Sequence, residues 1–217
     1  MSMPMVGPRI RSVITFAAAV CLALTTVSSV HAQVWSEVGD AGDLVATAQG
    51  TTGLGSLTTI TGSLASATDV DLYCIRLSAV PPAGLPLIQL QCVVQQGPNV
   101  WLFDAFGNGV FTSSGCSMGN KTILAPNVSL AAGTYYVAVS YSGVDPQSAA
   151  GAIWNPTGSG QRAPDGPGAA GTLTGWAGTP TVQPMNPYQI TLTYMAYCQA
   201  PTPSLRPTWG RLKSFYR

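Results

Sequence analysis

Asp69-Val70-Asp71-Leu72-Tyr73-Cys74-Ile75-Arg76-Leu77 is the stretch whose reading decides the fold. Alternation with period two places Asp71, Tyr73, Ile75 and Leu77 on one side of an extended strand and Leu72, Cys74 and Arg76 on the other. An aromatic and aliphatic core face, a cysteine and a pair of carboxylates therefore meet in one element.

Strand signals continue on both sides of it. Residues 56–64 set Thr58, Ile60, Gly62 and Leu64 against Leu57, Thr59 and Thr61. After the Pro81-Pro82 loop, residues 87–94 alternate Ile88, Leu90, Cys92 and Val94 with Gln89, Gln91 and Val93, as a half-buried strand does. Residues 99–106 are apolar on both faces, which predicts a strand covered twice. That strand runs into Phe106-Gly107-Asn108-Gly109, where Asn-Gly predicts a tight hairpin because both residues tolerate positive φ; Asp104 is read as fixing this turn. Short strands are expected at 110–112, 122–124 and 128–130, and longer ones at 134–141 and 188–194. In the last of these, Tyr188, Ile190, Leu192 and Tyr194 face inward. No stretch carries helical periodicity. These signals predict an all-β, antiparallel β-sandwich of about eight strands over residues 56–198.

Residues 1–32 read as a secretory signal peptide: Arg9 and Arg11, an apolar run from Val13 to Thr25, and Val30-His31-Ala32 as the cleavage pattern. The apolar run is too short to span a bilayer, and no later one is long enough. Cleavage after Ala32 would remove His31, the only histidine, and with it any Ser-His-Asp arrangement or His-ligated zinc. Two of the nine basic residues lie in this leader, leaving seven against eight acids, and four of the seven fall in the last twelve positions. Such a body lacks the basic stripe that phosphate backbones require, so nucleic acid is not an expected partner. Cys74, Cys92, Cys116 and Cys198 remain, an even number in an exported chain, and read as two disulfides with three connectivities open. A four-cysteine zinc site is the competing reading, but no C-x-x-C pair is present.

Residues 33–55 form an acidic lead-in with Glu37, Asp40 and Asp43. Residues 142–187 are a long insertion of Gly, Pro, Ala, Ser and Thr placed before the last expected strand, a length usual for functional or mobile loops. Its Trp154 and Trp176 either stack on a sugar or peptide ligand or pin the insertion onto the sandwich; pinning is the preferred reading. Residues 199–217 are a Pro-rich linker and a basic-aromatic tail, Trp209-Gly-Arg-Leu-Lys-Ser-Phe-Tyr-Arg217, similar to short C-terminal tags on exported bacterial proteins.

Taken in order, Gly62-Ser-Leu64, Asp69-Val-Asp-Leu-Tyr73, Trp101-Leu-Phe-Asp-Ala-Phe-Gly107, Ala132-Gly-Thr-Tyr-Tyr-Val-Ala-Val139 and Tyr188-Gln-Ile-Thr-Leu192 resemble the bacterial pre-peptidase C-terminal domain, a relative of the collagen-binding domains of secreted collagenases. The resemblance implies a jelly-roll-like β-sandwich without catalysis, on exported proteins, although no peptidase accompanies it here. It also implies calcium where an acidic lead-in meets the strand opening: Asp69 and Asp71 match that pair, and Glu37, Asp40 and Asp43 would supply the lead-in acids. Calcium wants six to eight hard oxygens, so carboxylates and carbonyls suit it. The bland alternative has Asp69 capping a turn and Asp71 hydrogen-bonded at the strand edge.

The function expected is thus an exported, non-catalytic module that binds protein or polysaccharide outside the cell, stabilised by calcium. A structural or adhesive surface component sorted through its tail is the alternative. An acid-pair hydrolase is the remote one, since Asp69 and Asp71 would sit roughly 7 Å apart by strand rise, within the range of about 5–10 Å that glycosidases use.

Overall fold

In the computed structural model, residues 33–92, 97–114, 119–124, 130–180 and 187–199 are described. The leader, the tail beyond Gln199 and the strand expected at 128–130 lie wholly or mostly outside these residues.

The quoted stretch forms β4 (Val70–Leu77), and the larger sheet is built on it. All eight of its residues pair antiparallel with β9 (Gly133–Ser140), from Val70 opposite Ser140 to Leu77 opposite Gly133. Beyond β9 come β6 (Asn99–Asp104), β7 (Gly109–Ser114) and β12 (Gly160–Arg162). The other edge of β4 takes β15 (Met195–Tyr197) antiparallel and β2 (Gln49–Gly50) parallel. The second sheet runs β1 (Val34–Ser36), β3 (Thr59–Gly62), β14 (Tyr188–Leu192), β5 (Pro86–Cys92) and β8 (Gly119–Leu124). A third, small sheet orders β11 (Gly151–Ala152), β10 (Asp145–Ser148) and β13 (Gly175–Ala177). No helix occurs among the described residues. The expected all-β sandwich is present, with two parallel additions, β1 on β3 and β2 on β4.

One buried cluster joins both large sheets: Leu72, Tyr73, Ile75, Leu102, Val137 and Val139 from one, Ile60, Ile88, Leu90, Tyr188, Ile190 and Leu192 from the other. β14 shows the cleanest alternation, with residues 188, 190 and 192 buried and 189 and 191 exposed. β4 and β6 are instead buried on both faces, and over β6 a further layer covers the outside of the sheet.

That layer is the segment expected to be a loop. Residues 142–187 contribute four short strands, β10 to β13, and bury Val144, Ile153, Trp154 and Leu173. Trp154 lies 5.2 Å from Trp101 and 5.6 Å from Phe103 by ring centroid, two residues sharing one face of β6. Trp176 edges onto the same pair at 6.1 and 6.3 Å. Aromatic burial on this scale is what holds a Gly- and Pro-rich segment down. Glycine is needed here for close approach: a Cβ at Gly166 would collide with the Ala152 carbonyl, and one at Gly168 with that of Gly151.

Two further expectations are corrected. The β6–β7 turn is not an Asn-Gly hairpin; the positive φ falls at Gly107 (85°). The Asp104 carbonyl accepts from Gly107 N at 3.1 Å, and its carboxylate accepts from Phe106 N, Asn108 N and Asn108 Nδ2. Asp104 therefore does fix the turn. The final run does not continue to Tyr194 either. Tyr194 is exposed with φ of 61°, so the chain reverses there and β15 follows as a separate last strand.

Candidate metal centre

Asp69 closes the loop before β4: its Oδ1 accepts from Val70 N at 2.9 Å and its Oδ2 from Ala65 N. Asp71, two residues on, points into the sandwich with no exposed surface. Asp40 arrives from the lead-in, where its Oδ1 accepts from Gly42 N at 2.8 Å in an Asx turn. Gly42 has φ of 71°, and a Cβ there would meet the Thr47 carbonyl oxygen at 2.5 Å, so the turn requires glycine. The Gly42 carbonyl then accepts from Leu72 N at 2.9 Å, which fastens this loop to β4 one residue after Asp71. Carboxylate oxygens of Asp40, Asp69 and Asp71 consequently lie within 4.8 Å of one another.

Glu37 borders the trio. Its N donates to Thr61 O at 2.9 Å and its Oε2 accepts from Ser63 N at 2.8 Å, which anchors it at the end of β3. Asp43 stands apart from the trio; its carbonyl accepts from Trp176 Nε1 at 2.7 Å and ties lead-in to insertion. Of the five expected ligands, then, three converge and Glu37 is adjacent. The turn at Gly42 carries Asp43 away.

The inner wall is two phenols. Tyr188 OH donates to Asp71 Oδ2 at 2.5 Å, and Tyr73 OH lies 2.7 Å from Tyr188 OH. Tyr188 uses its one hydrogen on Asp71, so Tyr73 is the donor to Tyr188. Burial holds both phenols well above their ordinary pKa, hence neutral. Gly62 makes room for them, since a Cβ there would meet Tyr73 OH at 2.5 Å and Tyr188 OH closer still.

Asp71 Oδ1 is buried and has no hydrogen-bond partner. Burial, offset by the Tyr188 hydrogen bond but reinforced by Glu37 and Asp69, pushes the Asp71 carboxyl up to about 8. Glu37 is near enough to act through charge and a shared proton, yet no donor meets Oδ1 in good geometry. Among the described residues no Lys or Arg pairs with these acids; the one ion pair there is Arg162 with Asp165. Converging hard oxygens, a buried orphan acceptor and no counter-cation fit a calcium ion, with Asp40, Asp69, Asp71 and Glu37 as the residues to hold it.

The remaining expected site residues lie elsewhere. Cys74 and Cys198 form a disulfide across 124 residues of sequence, with Cα atoms 5.5 Å apart. The Cys92 side chain and Cys116 lie outside the described residues. Trp154 is 1% exposed and Trp176 half-buried, both within the aromatic packing described above. The hydroxyls of Tyr73 and Tyr188 escaped the sequence reading, which had both as plain core. The available signal was a buried carboxylate, Asp71, that must have a donor.

Comparison of the chain with protein-family models and with curated proteins finds no match in either. Fold and site together define a class: an all-β sandwich whose lead-in segment is hydrogen-bonded to β4 beside a cluster of three converging carboxylates.

Proposed function

We propose that the chain is an exported, non-catalytic β-sandwich of the pre-peptidase C-terminal type that binds protein or polysaccharide outside the cell. Its acidic cluster holds a calcium ion joining the lead-in to β4. The observation that carries the metal is Asp71 Oδ1, buried without a partner among converging carboxylates. Calcium would supply the missing electrostatic partner and displace the proton that Asp71 otherwise keeps.

Other features support the reading. The Cys74–Cys198 disulfide suits an oxidising compartment and the leader-like residues 1–32. A general acid or base must reach its substrate, and the full burial of Asp71 argues against hydrolase work by the Asp69–Asp71 pair. The ordered motifs from Gly62 to Leu192 fall on or beside β3, β4, β6, β9 and β14, five of the twelve strands of the two large sheets.

Calorimetric titration with calcium tests the metal. The parent gives saturable heat, while Asp69→Ala and Asp71→Ala variants give little; no heat from the parent sinks the site. Pull-downs from extracellular material, run with calcium and with chelator, test the binding role.

A further inference from the structure

The acids that converge around Asp71 also face solvent. Asp40 is exposed, Glu37 and Asp69 are half-buried, and between Glu37 and Asp40 stands Val38, 71% exposed. Among the described residues only Phe106 is a more exposed large apolar side chain. The loop that carries Val38 is held firmly. Gln49 Nε2 donates to Val38 O at 2.9 Å, Gln49 Oε1 accepts from Val38 N at 3.1 Å, and Gln49 N donates to Ala41 O at 2.9 Å. Beneath the patch lies Asp71 Oδ1, buried and without a partner. The acids elsewhere are already engaged: Asp104 accepts from N–H groups of its turn, and Asp145 and Asp165 feel the Arg162 charge.

The chain carries a segment of the opposite character. Residues 205–217 hold Arg206, Arg211, Lys213 and Arg217 beside Trp209, Phe215 and Tyr216, with no acid. Residues 33–204 hold three basic and eight acidic residues. Cations answer the carboxylates, and an aromatic ring answers Val38. Gln199, from which this segment departs, lies close by. Its N donates to Thr51 O at 3.0 Å and its O accepts from Gly53 N at 3.2 Å. One strand spacing, two residues of rise and one glutamine side chain separate it from Val38, under about 20 Å in all. Residues 200–205 include two prolines, and a Pro-rich chain extends about 3.1 Å per residue. A reach of about 20 Å therefore brings Arg206 to Glu37 and Asp40.

We propose that residues 205–217 fold back onto this patch in the metal-free chain, their cations on Glu37, Asp40 and Asp69 and Trp209 over Val38. One part rests on the calcium reading above: calcium draws on the same oxygens and so displaces the tail. Calcium outside the cell thereby frees a basic-aromatic segment that the metal-free chain keeps covered. Exposed ion pairs are each worth only a factor of about 1.5–5, and three compound to about threefold or more. Tethering suits so weak a contact, because a short linker holds the tail at roughly millimolar local concentration. By reciprocity, a tail that calcium displaces must weaken calcium binding by the same factor.

The full chain is digested briefly with trypsin at low salt in chelator. Cutting after Arg211 and Lys213 is timed against a free peptide of residues 205–217, which corrects for effects on the protease. The tail is cut about threefold more slowly than the peptide, or slower still. Salt at about 0.5 M, which shortens screening to below about 5 Å, removes the protection, as does calcium. So does the paired change Glu37→Gln with Asp40→Asn. Both variants keep the oxygens that accept from Ser63 N and Gly42 N, so the loop stays folded, which thermal melting checks. Asp165→Asn, an equal change of charge, leaves the protection in place. A tail cut as fast as the peptide, or protection that survives the loss of Glu37 and Asp40 or falls equally with Asp165→Asn, overturns the proposal. Protection that rises with protein concentration seats the tail on a second copy and overturns docking within one chain. Calorimetry with calcium separates the two readings. Heat without tail protection keeps the metal site and overturns the docking; protection without heat keeps the docking and overturns the metal site. Heat with protection that calcium leaves in place overturns the displacement.

Discussion

Replacing Asp71 by asparagine should make the metal-free protein more stable at neutral pH. Its carboxyl sits at about 8 in the folded chain against an ordinary 3.8, because burial and the neighbouring Glu37 and Asp69 disfavour its charge. Below about pH 4 folded and unfolded states both keep the proton. Between about pH 4 and 8 the folded state keeps it and the unfolded state has lost it, so stability falls as pH rises, by up to about 1.4 kcal/mol per unit. Accumulated to pH 7, the loss is roughly 4 kcal/mol at its upper end. Asparagine keeps an oxygen for Tyr188 OH and offers an amide donor toward Glu37 and Asp69 at no ionisation cost. Urea unfolding in chelator from pH 4 to 9 compares the two proteins, and the difference between their curves isolates this one group. The asparagine variant should gain on the parent steadily as pH rises toward 8, and calcium should stabilise the parent alone. Parallel curves, or a variant weaker than the parent at pH 7, would refute the account of Asp71 as a buried acid waiting for a cation.

Trp154→Ala empties the space between Trp101, Phe103 and the insertion and should cost about 3–5 kcal/mol, read by urea unfolding. Reducing Cys74–Cys198, or replacing both with serine, should lower stability by about 2–5 kcal/mol, given the long loop it closes; melting with and without reductant checks it. Gly62→Ala forces a methyl against two phenol hydroxyls and should cost about 1–3 kcal/mol. It should also weaken calcium binding, because Tyr188 can no longer hold Asp71 in place.

The two-sheet core was legible because β4, β9 and β14 are long enough to display a period of two and β6 is a continuous apolar run. β10 to β13 run only two to four residues each, too short for any period, and glycine and proline dominate the chain around them. What holds them is a set of indole contacts with β6 about fifty residues or more away, which no local pattern encodes. Tyr194 continued the inward alternation on paper, yet its positive φ ends the strand. At the site, the acids of the lead-in and of β4 were legible as a group, since few others exist in the chain. Which of them converge was not: a single turn at Gly42 separates Asp40 from Asp43, and the Tyr188–Asp71 bond spans 117 residues.

The Cys74–Cys198 bond has a mechanical meaning for whatever follows it in the chain. Thr51 sits between the two cysteines, its Oγ1 donating to the Cys74 carbonyl at 2.7 Å and accepting from Cys198 N at 3.0 Å, while Gln199 pairs with Thr51 and Gly53. Tension applied beyond Gln199 therefore passes by covalent link into β4, which with β9 is one of the two eight-residue strands of the larger sheet. Without the bond, the same pull would unzip the three residues of β15 one hydrogen bond at a time. With it, the load must shear β4 against the eight paired residues of β9, and the sandwich yields as a whole or not at all.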